Sequence, residues 1–462
     1  MLINIDTLRN RIEAVLLNKK EQGHEIDNLY EKFESLPKSY DKLINFTITL
    51  NDLPISSKWK YSEPNDLENI WSEADRKRPV GVESNIDIYK YAKKIESAFL
   101  GSICGCILGK PLEAMLTGQE IKSALKEINE WPLNNYISKN ISNYLPRTHV
   151  SFSETAREFI NYVAPDDDIN YTILGMINLE NHGAQFDHSD IKKLWLKHLP
   201  IGITFGPERT NLLISGLQSI DGIPKTQFLE KGGVGANPKI YNKTDVFSQT
   251  INNILNPGDE LCGASIRADA YGYACPGNPS LAAELAWKDA SFTHKRTGIY
   301  GTMFIAAAIS CAQVLKDKIQ IFKTALQFVP QNSRFFERVS GCLNIVKEAS
   351  NWEEAYIKIN SNLGEFGHCR IYQEMGMLIN TLKFSTNVGD GLCIQVSQGA
   401  DTDSFGATAG SILGAYYGPG YLEKKWLEPF NDDLRTGMAH FFERSLTKIA
   451  ERMGRLPQTL VK

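Results

Sequence analysis

The sequence predicts an all-α protein, and three observations carry that prediction. Alternation of Val and Ile at period two, the mark of half-buried strands, is almost absent from the 462 residues. Helix-compatible segments recur instead, separated by short loops rich in Gly, Asp and Pro. A composition of 42% hydrophobic and 23% charged residues supplies a sizeable core and excludes wholesale disorder. There is no internal repeat and no low-complexity tract.

The elements run in order along the chain. Residues 6–30 carry Leu8, Ile12, Val15 and Leu16 at helical spacing on a charged background. Beyond them the chain is punctuated by Leu36-Pro37, Leu53-Pro54 and the turn-rich stretch 59–71, and Arg78-Pro79-Val80-Gly81 closes the region. Residues 1–92 are therefore expected to form a helical N-terminal extension without a catalytic motif, and 93–462 the main domain. In the latter, 281–290, 321–328, 352–359 and 426–452 read as helices, the first made of strong helix formers. Residues 230–245, with Gly232, Gly233 and Gly235, read as a long loop. The stretch 297–315 has no charge and approaches the roughly 20 residues that span a bilayer. It is rich in Gly, Ala, Ser and Thr, so a helix at the centre of a large core is the expectation.

Charge and cysteine use exclude several functions. Lys plus Arg is 50 against 54 for Asp plus Glu, a net charge of −4, which lacks the footprint of a phosphate-backbone binder. Of eight cysteines none forms C-x-x-C, and Cys104, Cys106, Cys311 and Cys393 sit in apolar runs. That usage predicts a reducing, cytoplasmic compartment. The first 22 residues are charged throughout and hold no apolar export core, so no export signal is expected.

Two motifs carry the chemistry. Asp166-Asp167-Asp168 follows Pro165 and precedes an apolar helical run. A helix N-cap accounts for one such carboxylate. Three repel one another, and no Lys or Arg lies between Glu158 and Asn178. The second motif, Gly399-Ala400-Asp401-Thr402-Asp403-Ser404, places three oxygen donors at another helix start, with no basic residue from Ile394 to Gly420. If the two meet, five Asp and one Ser converge, and burying that charge requires cations. Oxygen donors select hard ions such as Mg²⁺, Mn²⁺ or Ca²⁺. No H-E-x-x-H or Cys/His cluster argues for zinc.

Around them, Gly101, Gly105 and Gly109, and again Gly406, Gly410 and Gly414, recur at every fourth residue and leave stripes for close helix packing. Lys110-Pro111 ends the first stripe and presents Glu113 in a loop; the spacing is not that of a P-loop. Gly263, Ala264 and Ser265 are small enough for backbone N–H groups to approach a diphosphate, although an ordinary loop-to-helix junction reads the same way. His294 and His368 read first as core histidines.

In this order the stretches resemble the ADP-ribosylglycohydrolase family. The residues that carry the resemblance are Gly105 to Glu113, Asp166 to Thr172, Cys262 to Arg267, Thr293-His294 and Gly399 to Ser404, spanning about 95–452. The chain looks closest to larger bacterial members with an N-terminal extension. The resemblance implies a compact orthogonal multi-helix fold and two divalent cations, Mg²⁺ or Mn²⁺. Their ligands would be Asp166, Asp167, Asp168, Asp401, Asp403 and Ser404. Glu113, with Asp168 and Asp403, would be catalytic, and Gly263, Ser265, His294 and Gly399 would face ADP-ribose. Four departures stand out: Asp166 replaces a Thr, Cys106 an Asp, Leu261-Cys262 a Gly-Asn pair and Ala400 a Gly. The expected activity is hydrolysis of an N- or O-glycosidic bond of ADP-ribose, freeing a protein or other acceptor. The rivals are a hydrolase of a small ADP-ribose-like or nucleoside-type metabolite, and a non-catalytic ADP-ribose binder on the same scaffold.

Overall fold

The computed structural model describes residues 4–83, 86–219 and 255–461, and its elements are helices and short 3-10 turns. Among the described residues, extended pairing is confined to isolated bridges such as Thr117 with Gly399. The protein is all-α. The loop read at 230–245 lies outside the described residues.

Two bodies form. The first comprises 1–61 and 201–259, the second 62–200 and 260–462. In the first, helix Ile5–Glu21 turns Leu8, Ile12, Val15 and Leu16 inward, as their spacing predicts, against Phe33, Leu43, Phe46, Leu50 and Leu255. It stops well short of residue 30. Gly23 takes φ +82°, and the Trp59 ring lies where a Cβ would stand. The Asn18 and Gln22 amides donate to Asp259 Oδ1 at 2.9 and 3.3 Å, which ties the later segment to this helix.

The division at 61/62 differs from the boundary expected at 92. Residues 62–83 pack into the second body, because Glu63 shares the buried Arg334 guanidinium with Glu260, at 2.8 and 2.6 Å. Trp71 also stacks edge-on to Phe328. The uncharged stretch becomes helix Thr297–Ala312, in which every residue is buried. Among the described residues one helix, Tyr89–Leu112, is long and apolar enough to cross a membrane, and most of it is packed inside the protein. A helix over 426–452 does not form. Asn431 and Asp432 adopt left-handed φ of 52° and 55°, and the helix begins only at Leu446, capped by Ser445.

The feature that positions the site is a pair of helices, Ile88–Gly109 and Thr402–Tyr417, meshed along the two glycine stripes. A Cβ on Gly105 would stand 2.0 Å from the Gly406 carbonyl oxygen, and one on Gly109 would stand 1.9 Å from that of Thr402. Only glycine permits this approach. Thr402 Oγ1 then donates to the Gly109 carbonyl at 2.8 Å, which fixes the end of one helix against the start of the other.

Candidate active site

The two acidic motifs meet. Helix Asp167–His182 begins at Asp166, whose Oδ1 accepts the Asp168 N–H at 2.9 Å. Helix Thr402–Tyr417 begins at Asp401, whose carboxylate caps nothing. Ser404 Oγ donates to Asp168 Oδ2 at 3.3 Å and joins one motif to the other. Asp166, Asp168, Asp401 and Asp403 are all at most 4% exposed, and Asp167 is half-buried. Asp168 Oδ1 is buried with no hydrogen-bond partner.

The close end of the glycine pair delivers two further groups. A 3-10 turn at Lys110–Leu112 follows Gly109 directly and leads into Glu113. The buried Lys110 ammonium contacts Asp166 Oδ2 and lies 3.5 Å from Asp403 Oδ2. Glu113 Oε2 lies 3.0 Å from His149 Nε2.

This crowding sets the electrostatics. Burial and then neighbouring carboxylates push Asp167, Asp168 and Asp403 well above the ordinary carboxylate range. Asp166 is burdened by burial too, but Lys110 holds it below that range. Burial opposes the charge of Lys110, yet Asp166 and Asp403 outweigh it and keep the ammonium charged. Glu113 is pushed up to about 7 by burial and then by Asp401. Burial, followed by Lys110, lowers His149, which keeps its imidazole neutral.

Asp401 faces a different neighbourhood. Cys262 Sγ and Cys369 Sγ lie 3.2 and 3.3 Å from its Oδ2. The fully buried Glu374 supports this loop by accepting the N–H groups of Cys369 and Ile371 at 3.0 and 2.9 Å. On the other side, the Cys106 thiol comes together with Asp166 and Asp168. The position where the family pattern has Asp therefore still points at the cluster.

The residues expected to contact substrate are mostly buried. Ser265 and His294 are 1% and 2% exposed, and Thr293 Oγ1 lies 2.7 Å from His294 Nδ1. Gly399, at φ +77°, is pressed against the 116–118 backbone, where a Cβ would stand 2.5 Å from the Leu116 carbonyl. Gly263 is half-buried and its carbonyl accepts Arg267 Nη1 at 3.1 Å. His368 is half-buried, and its Nδ1 has no hydrogen-bond partner, so it is not a satisfied core residue. Sequence reasoning missed Lys110, His149, Cys369 and Glu374 as members of the site. Only Lys110 had a signal, since it stands three residues before Glu113 on the turn that ends the glycine stripe.

The family model for ADP-ribosylglycohydrolase matches residues 88–458. The chain belongs to the ADP-ribosylglycohydrolase family. A solved structure titled "ADP-ribosylglycohydrolase-related protein complex" is similar over 79% of this chain and 98% of that one, at 17% identity and a TM-score of 0.44. No curated protein matches the chain. The family acts on the glycosidic bond of ADP-ribose-type substrates.

The acidic donor set fits a divalent cation on charge. Five Asp gather here, one ammonium pairs with two of them, burial raises three of the five, and Asp168 Oδ1 is left without a partner. The half beside Lys110 is partly answered. Asp168 Oδ1 is not.

Proposed function

We propose that the protein is a cation-assisted hydrolase that cleaves an N- or O-glycosidic bond of ADP-ribose and releases a protein or other acceptor. The observation that carries this reading is the Ser404–Asp168 contact, which joins two buried acidic helix starts beside Glu113. Asp166, Asp167, Asp168, Asp401, Asp403 and Ser404 would hold two divalent cations, Mg²⁺ or Mn²⁺ by the family pattern. When bound, such ions supply orientation of ribose hydroxyls and a more acidic water.

The chain's own residues do the rest. Glu113, at about 7, exchanges a proton at neutral pH and is the group to take one from the attacking water. His149 holds its Oε2 and fixes the carboxyl's orientation. Asp168 and Asp403, ionised once cations are held beside them, would line the place where positive charge develops on the ribosyl ring. Lys110 moderates that potential on one side only. All eight cysteines are free thiols, which supports a cytoplasmic location.

Lys110 also favours the second reading, a non-catalytic ADP-ribose binder, because its ammonium already answers Asp166 and Asp403. Release of ADP-ribose from ADP-ribosylated arginine and serine peptides, followed by mass spectrometry with and without chelator, separates the two. Chelator-sensitive release supports the hydrolase. Cation-dependent binding of ADP-ribose without release from any conjugate supports the binder.

A further inference from the structure

Cys262, Cys369 and Asp401 come from three distant segments and converge on one point. Their ligand atoms all lie within 4.8 Å of one another. The two sulfur-to-oxygen distances are 3.2 and 3.3 Å. A tetrahedral ion with ordinary Zn–S of about 2.3 Å and Zn–O of about 2.0 Å holds its sulfur and oxygen about 3.5 Å apart. The two sulfur-to-oxygen distances are thus close to those an ion would set, and the sulfurs lie within 4.8 Å of each other.

Each donor is fixed from behind. The Cys262 N–H donates to the Cys369 carbonyl at 3.1 Å and ties the two cysteine segments together. Cys369 and Ile371 sit at φ +62° and +73°, strained for residues that are not glycine, and Glu374 holds both through their N–H groups. Ala400, at φ +66°, donates its N–H to the Leu116 carbonyl at 3.0 Å and aims Asp401. Second-layer contacts of this kind orient metal ligands.

We propose that the ion held at Asp401 is a thiophilic divalent cation of the Zn²⁺, Co²⁺ or Fe²⁺ class, bound by Cys262 Sγ, Cys369 Sγ and Asp401, with the fourth position open to water or substrate. Two thiolates select such ions over Mg²⁺. On binding, each thiol gives its proton to solvent as its sulfur–metal bond forms, so about two protons leave per ion. The proposal rests on reading the acidic cluster as a cation site, replaces Mg²⁺ or Mn²⁺ at Asp401 alone, and does not rest on ADP-ribose as the ligand.

The test uses the full chain, reduced and stripped with chelator. Co²⁺ is expected to bind with a thiolate-to-cobalt charge-transfer band and tetrahedral d–d bands, which Zn²⁺ abolishes by displacement. Calorimetry in buffers of different ionisation enthalpy should return the proton release. Cys262→Ser and Cys369→Ser should each weaken Co²⁺ binding by at least about 10-fold. Cys311→Ser, in the buried core helix, should not, and circular dichroism checks that each variant folds. An octahedral cobalt spectrum without charge transfer, unchanged by either cysteine substitution, overturns this proposal and leaves the acidic cation site standing. A reduced chain that binds no Co²⁺, Zn²⁺, Mg²⁺ or Mn²⁺ overturns both. Formation of a Cys262–Cys369 disulfide in air, with no cation binding by the reduced form, overturns it in favour of a redox pair.

Discussion

The meshed helices Ile88–Gly109 and Thr402–Tyr417 carry two buried acidic sites, and these are finished in opposite ways. Along the pair, Asp269 Oδ2 accepts from Ser102 at 3.3 Å and from Ser411, whose hydroxyl also pairs with Tyr273. One carboxylate meets hydroxyls from both helices, and burial raises it to about 7 without help from other charges. At the close end, five Asp gather around one ammonium that pairs with two of them, and the two motifs are joined by Lys110, between Asp166 and Asp403, and by the Ser404 hydroxyl on Asp168. The first site is a local solution to burying one polar group. The second leaves more negative charge than the protein answers, and that surplus marks a place for a ligand.

Substitutions sharpen this contrast, from the largest effect on catalysis to the smallest. Asp168→Ala or Asp401→Ala should abolish cation binding and glycohydrolase activity while the far-ultraviolet circular dichroism stays native. Full turnover by a variant shown to be metal-free would contradict that. Glu113→Gln should keep ADP-ribose binding and lower kcat by about 10²–10⁴-fold. The wild-type rate should rise with pH through about 7 as Glu113 loses its proton, and the variant should lose that limb. A variant with the same limb would assign the base elsewhere.

Gly105→Ala attacks the scaffold rather than the charges. Its Cβ meets the Gly406 carbonyl, and such overpacking should cost about 1–3 kcal/mol, read from the denaturant midpoint. Asp269→Asn should leave catalysis alone and alter only stability against pH. The folded carboxyl titrates near 7 and the unfolded one near 3.8, so the folded state binds the extra proton between them. Its contribution is complete below about 3.8 and is lost as pH rises to about 7. The wild type should therefore lose melting temperature over that interval relative to the asparagine variant. Parallel melting curves would show that Asp269 is charged in the folded protein.

Much of this was legible in the sequence, for local reasons. The two acidic helix starts were visible as carboxylates without nearby basic residues, and the glycine stripes as repeats of four. That the stripes belong to each other was not, because spacing gives a face but not its partner. Lys110 was visible as the end of a stripe, but its reach to Asp166, 56 residues on, is a product of the fold. The thiol pair at Asp401 was hidden for the same reason. Cys262 stood in a motif only as the replacement of an Asn and Cys369 in none, and the strained loop held by Glu374 brings them together. That residues 62–83 join the second body was not visible either, because the partner of Glu63 is Arg334, 271 residues away.

Isothermal calorimetry of the chelator-stripped full chain with ADP-ribose and with AMP, before and after adding divalent cation, tests the central claim most directly. ADP-ribose should bind only when cation is present and AMP should bind in neither state, which would place the distal ribose at the acidic cluster. ADP-ribose affinity that is indifferent to chelation, or no binding under any condition, would contradict that claim.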